Sequence, residues 1–161
     1  MIDFTLQQEP LNWRISNDGV MGGESQGTLL FEPDHGVFTG NISLANQGGF
    51  SAAFRTVEPL NQDIAAVEVD IAGDGHKYQL RMMTNTNGQR LSYFHEFSTV
   101  AGQRQTLSFN FVDFKATFRG RTIPDAPTLK SECIGEVGFL LNTKQAGAFS
   151  LTVFAIDFIK R

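Results

Sequence analysis

Apolar and polar side chains alternate along most of this chain, and a period of two marks half-buried strands. Val67, Val69 and Ile71 alternate with Glu68 and Asp70; Tyr78, Leu80 and Met82 with Gln79 and Arg81; Phe149, Leu151 and Val153 with Ser150 and Thr152. Leu107, Phe109 and Phe111 alternate with Ser108 and Asn110, and Phe50, Ala52 and Phe54 with Ser51, Ala53 and Arg55. That alternation puts Arg55 and Arg81 on the polar sides of their strands. Weaker strands are expected at Thr28–Phe31, Val37–Leu44, Leu91–Phe97 and Val137–Leu141.

Turn signals separate these runs: Asn17-Asp18-Gly19, Glu32-Pro33-Asp34, Gln47-Gly48-Gly49, Gly73-Asp74-Gly75 and Asn87-Gly88. Asn-Gly and Asp-Gly tolerate positive φ and so favour tight hairpins. The longest stretch free of Gly and Pro, Gln103–Arg119, carries period two rather than a helical period. A turn is expected near Asn61–Ile64. Gly120–Ile134, with Pro124 and Pro127, reads as a long loop of the kind that is often functional. About nine or ten short strands predict one all-β domain over residues 1–161, a sandwich or barrel with little helix.

Composition agrees. The 161 residues include 15 Phe, 16 Gly and 5 Pro, which suits pleated surfaces broken by turns. A 41% hydrophobic content excludes disorder, and a net charge of −4 argues against a nonspecific nucleic-acid binder. No apolar run approaches the roughly 18 residues of a membrane span. The first residues, Met1-Ile2-Asp3-Phe4-Thr5, do not resemble a signal peptide. Cys133 is the only cysteine; it forbids an internal disulfide or a Cys-based zinc site, and it suits a reducing cytoplasm.

Candidate chemistry is sparse. Gly23-Glu24-Ser25-Gln26-Gly27 matches the nucleophile elbow, yet it leads into the strand-like Thr28-Leu29-Leu30-Phe31, where the elbow needs a helix. The same loop lacks the Gly-Lys-Ser/Thr of a phosphate cradle. His35, His76 and His95 do not stand at metal-ligand spacing. Asn17, Asp18 and Asp157 offer hard oxygens for calcium, although turn chemistry explains the first two better. Glu68 and Asp70 read as a solvated face, and Glu96 stands between His95 and Phe97. Cys133 has no neighbouring cation to activate it. If the strands of Arg55 and Arg81 neighbour each other, a basic spot results that suits a carboxylate or phosphate; pairing with nearby acids is the simpler reading. The sequon Asn41-Ile42-Ser43 is expected to be unused. No catalytic set, metal or cofactor is assigned.

Four segments stand out together: Trp13 with Asn17-Asp18-Gly19-Val20-Met21-Gly22-Gly23-Glu24-Ser25; Phe38–Leu44 through Asn46, Gly48-Gly49-Phe50 and Arg55; Gly73-Asp74-Gly75 with Tyr78; and Phe111, Phe114, Phe118-Arg119-Gly120-Arg121, Ile134, Gly138 and Gly147–Ile156. Their order and spacing resemble the complex I intermediate-associated protein 30 family. The chain departs from the pattern at Gln105, where relatives have tryptophan, and at Asn110, where they have proline. The resemblance implies a galactose-binding-like jelly roll in a bacterial-type stand-alone member. It also implies a non-catalytic module that binds a protein partner, such as an assembly intermediate of a respiratory complex. A carbohydrate-binding role, taking a sugar or small anionic ligand, is the alternative. An enzyme acting on a sugar or ester is a third reading, carried by His95 and Glu96. The expected recognition residues are Asn17, Asp18, Met21, Ser25, Arg55, Tyr78, Arg81, Arg119 and Arg121, with Trp13 packed under the Gly19–Gly23 loop.

Overall fold

Alternating residues become strands that pair antiparallel throughout, in a computed structural model that describes residues 1–86, 88–118 and 121–160, without the side chains of Val20, Met21, Gln47 and Thr86. In chain order they are β1 (Ile2–Asp3), β2 (Trp13–Asn17), β3 (Gln26–Phe31), β4 (Gly36–Ile42), β5 (Phe50–Thr56), β6 (Ile64–Ala72) and β7 (Lys77–Thr86). There follow β8 (Gln89–Ser98), β9 (Arg104–Asn110), β10 (Lys115–Phe118), β11 (Arg121–Thr122), β12 (Ile134–Asn142) and β13 (Gly147–Lys160). The expected all-β jelly-roll sandwich is what forms. Among the described residues, 3-10 turns such as Glu9–Asn12 and Asp18–Met21 are the helical elements. The expected turn before Ile64 is there, closed by its amide on the Asn61 carbonyl.

The first sheet runs β3-β4-β13-β6-β9, and β1 adds to the far half of β13. The second runs β11-β10-β8-β7-β12-β5-β2. β13 serves two partners on one edge because Gly147–Val153 pair with β4 while Ala155 and Ile156 pair with β1. A bulge between Val153 and Ala155 separates the two halves. Between the sheets lies one core containing Phe38, Val69, Ile71, Tyr78, Leu80, Met82, Phe139, Leu141 and Leu151, each 1% exposed or less. At roughly 25 cal/mol per Å² of apolar area, burying one such phenylalanine or leucine contributes on the order of 2 kcal/mol.

The described residues form thirteen strands, more than the expected nine or ten. The additional ones are β1, β2, β10 and β11, two to five residues each. Segments that short hold their shape through a neighbouring strand rather than through their own alternation. A second correction concerns β5. Ala53 pairs with Phe139, which pairs with Leu80, so Ser51, Ala53 and Arg55 face the other sheet while Phe50, Ala52 and Phe54 face outward. The alternation points the wrong way here because both faces of β5 are covered: Ala52 and Phe54 are buried too. Arg81 pairs with Gly138 and does face outward. The two arginines therefore point to opposite sides of the sheet, with β12 between their strands, and the basic spot does not form.

Candidate functional site

Asp18 occupies the first position of a 3-10 turn and is 1% exposed. Its Oδ1 accepts the Ser25 amide at 2.9 Å. Its Oδ2 accepts the Ser25 hydroxyl at 2.5 Å, the Gly49 amide at 2.6 Å and the Phe50 amide at 3.2 Å. Burial alone would raise this carboxyl, but the Ser25, Gly49 and Phe50 donors outweigh it and hold the group below the usual carboxylate range. Ser25 leads into β3 of the first sheet and Gly49 into β5 of the second, so one carboxylate ties the sheets together. The surrounding glycines follow from it. A Cβ on Gly23 would lie 2.4 Å from Asp18 Cγ, and one on Gly48 would lie 2.5 Å from Oδ2. Gly49, with φ of 139°, takes a conformation open to glycine.

Asp74, between β6 and β7, repeats the device at another corner. Its Oδ2 accepts the Ser150 amide of β13 at 2.7 Å, and its Oδ1 accepts the Tyr78 hydroxyl at 3.0 Å and the His76 amide at 3.2 Å. His76 Nδ1 lies 2.9 Å from Oδ2. Burial pushes the Asp74 carboxyl up, and the Ser150 and His76 donors pull it further down. The Tyr78 phenol is raised strongly, first by burial and then by the Asp74 charge.

A third tie is the ion pair of Glu9 and Arg55. Glu9 is 2% exposed; its oxygens receive Arg55 Nε and Nη2 at 2.8 Å each and Trp13 Nε1 at 2.7 Å. Trp13 stacks on Phe4, ring centroids 5.9 Å apart, at the opposite end of β2 from the Gly19–Gly23 loop under which it was expected. The surface arginine Arg81 is fixed as well: its fork holds Gln79 Oε1 at 2.9 and 2.6 Å, its Nη1 reaches Ser92 at 2.9 Å, and it lies over the Phe94 ring.

The expected recognition residues thus divide. Asn17 accepts the Ser51 hydroxyl, and Asp18 and Ser25 share one buried network. Arg55, Tyr78 and Arg81 sit in three separate ones. Arg121 is exposed on β11, apart from the loop of Asp18. The side chain of Met21 and Arg119 lie outside the described residues, as does Asn87 of an expected turn. Ser25 has its hydroxyl on Asp18 and accepts the Ser43 amide, with β3 and no helix after it, so it is not an elbow serine. Glu9 has no signal in the sequence; Asp74 is visible there as a turn residue and as part of the Gly73-Asp74-Gly75 segment, not as a tie between strands.

Calcium finds no support in this geometry. Every neighbour of the Asp18 carboxylate is a donor, Asn17 is bonded to Ser51, and Asp157 lies on β13 beside the Met1 amino group at 3.9 Å. Among the described residues no three His, Cys, Asp or Glu side chains are grouped to hold a metal. His95 packs against Phe109 and Phe114 with Nδ1 2.7 Å from the Glu96 carbonyl, while the Glu96 carboxylate reaches Lys77 at 3.4 Å. They line one cavity of about 340 Å³ with Phe94, Asp113 and Lys115. Glu68 and Asp70 do lie opposite the core residues of β6, and Asp70 pairs with Arg104. Among the described residues no helix is long and apolar enough to cross a membrane.

Known proteins match this chain in sequence and in fold. The profile of the complex I intermediate-associated protein 30 family matches residues 2–153. An uncharacterized protein of Schizosaccharomyces pombe is 26% identical over 185 positions, which cover 98% of this chain and 84% of that one. The family 11 carbohydrate-binding module of a cellulosomal cellulase of Clostridium thermocellum superposes with a TM-score of 0.71 at 11% identity, covering 93% of this chain and 88% of the module. An exo-beta-agarase matches with a TM-score of 0.59 at 13% identity, over 100% of this chain and 25% of the agarase. At such identities the likeness to these structures is one of fold.

Proposed function

The chain belongs to the complex I intermediate-associated protein 30 family, and from that premise we propose that it is a non-catalytic module that grips a protein partner during assembly of a respiratory complex. The observation that carries this reading is the use made of the family's polar motif residues. Asp18, Asp74, Arg55 and Tyr78 are spent on tying loops and sheets together, so they serve as architecture rather than as a nucleophile with its base. A rigid frame of this kind presents a surface at low entropic cost, which favours binding over turnover. The single cysteine suits work in a reducing cytoplasm.

The partner's seat in this proposal is the N-terminal segment. The Glu9 tie to Arg55 and Trp13 anchors it, while Leu6 and Leu11 stand 58% and 85% exposed on it. Large apolar side chains held out from a fixed segment are what a protein interface buries. Affinity capture of the tagged chain from its native host tests the reading. Complex I subunits are expected to co-purify, and the pair Leu6→Asp with Leu11→Asp is expected to lose them while the circular-dichroism spectrum is unchanged. Recovery of the chain with no respiratory subunit would overturn the proposal.

A further inference from the structure

Three cavities open beside one another along the second sheet, two on its outward face and one where that face meets the edge of β8. One of about 220 Å³ lies between Phe50, Asn46 and Asn142 beside the Asp18 loop. The next, about 250 Å³, shares Asn142 and continues over Gln79, Lys77 and Glu96. The third, about 340 Å³, shares Glu96 and reaches Phe94, with His95, Asp113 and Lys115 at its far side. Pairing puts these residues on one face: Asn142 opposite Phe50, Gln79 opposite Glu96, and Phe94 opposite the outward Arg81. The row crosses β5, β12, β7 and β8, three strand spacings, or about 14 Å. That is longer than one sugar ring.

We infer that this trough binds a neutral oligosaccharide, a ligand beyond the protein partner proposed above. Its chemistry selects hydroxyl groups. Amide side chains both donate and accept, as hydroxyls do, and two of them, Asn142 and Gln79, line the middle of the trough. Gln79 is pre-set: the Arg81 fork occupies its Oε1 and leaves the NH2 group for another partner. Charge does not select an anion: Lys77 is paired with Glu96 at 3.4 Å, Arg81 is held by Gln79 and Ser92, and the third cavity sets Asp113 beside Lys115. The side chains that would seat a protein lie elsewhere: among the described residues none of the exposed large apolar ones, Leu6, Leu11, Leu30, Val100 and Val112 included, lines the three cavities. Phe50, half-buried at one end of the trough, offers a ring edge or face to the apolar side of a sugar.

The test is a neutral-glycan array followed by NMR titration with the tightest binder, using cellotetraose as the first probe. Binding is expected with amide shifts confined to Phe50, Gln79, Phe94, Glu96 and Asn142. Asn142→Ala and Phe50→Ala are each expected to weaken it about tenfold, the size of one lost hydrogen bond or ring contact. Asp70→Ala, on the outward face of the other sheet, is expected to bind as the parent does. No binding to any neutral glycan, or binding unchanged in both trough variants, overturns the inference. Capture of respiratory subunits is read separately through Leu6 and Leu11, so either proposal can fail without the other.

Discussion

Asp18 accepts the Gly49 amide at 2.6 Å, a bond between residues 31 apart that joins the loop entering the first sheet to the start of β5 in the second. The same carboxylate takes the Ser25 amide and hydroxyl and the Phe50 amide. Truncation would strand several buried donors at once. Asp18→Ala is expected to lower unfolding free energy by about 3 kcal/mol, within the range for an orphaned buried polar network. Urea denaturation checks this; a loss within ordinary surface scatter would show that the tie contributes little.

Gly23 has its place because the Asp18 carboxylate fills the volume a side chain would need. Gly23→Ala is therefore expected to destabilise the parent by about 2 kcal/mol through overpacking. In the Asp18→Ala background the same change should cost much less, since the obstacle is gone. A double-mutant cycle reads this coupling, and strictly additive losses would contradict it.

The carboxyls of Asp18 and Asp74 are both held below their ordinary range in the folded state. A depressed folded pKa contributes stability above the unfolded value, near pH 4, and that contribution is lost as pH falls through the folded one. Urea midpoints should not change on account of these groups between pH 7 and 5, then fall below about pH 4. Asp18→Asn is expected to flatten the acid limb, and an unchanged limb would count against the assignment.

Both tyrosines of the chain, Tyr78 and Tyr93, have phenols raised chiefly by burial, Tyr78 further by Asp74 and Tyr93 by Cys133. A raised folded pKa means stability falls as pH rises past the unfolded value of about 10. Phenolate absorbance should therefore lag behind that of a free tyrosine and grow in together with loss of the folded signal. Normal titration of two phenols in the folded chain would refute this.

Arg55 and Glu9 form the buried ion pair, while Arg104 and Asp70 form an exposed one of similar geometry. Breaking a buried pair by Glu9→Gln is expected to cost about 3 kcal/mol. A thermal-denaturation cycle on Glu9 and Arg55 should give a coupling well above that on Asp70 and Arg104. Equal couplings would mean that burial of Glu9 adds nothing.

Alternation in Val67–Ile71, Tyr78–Met82 and Phe149–Val153 named the core strands correctly because each has one buried and one wet face. It misled for Phe50–Arg55, where Arg14 lies over the outward ring of Phe54 and both faces are covered. The motif around Asp18 was legible as a loop of importance, but not as a clamp, because its partners Gly49 and Phe50 are distant in the chain.

By itself the sequence determined the fold class and the family signature, since these rest on local period, turn chemistry and glycine placement. Only the tertiary structure decided that Glu9 would neutralise Arg55, that Asp18 and Asp74 would staple one sheet to the other, and that Phe50, Asn142, Gln79 and Glu96 would share an outward trough. The physical reason is range. Period and turns are settled by neighbours a few residues apart, whereas charge pairing and cavity lining depend on which strands become adjacent after long loops have closed.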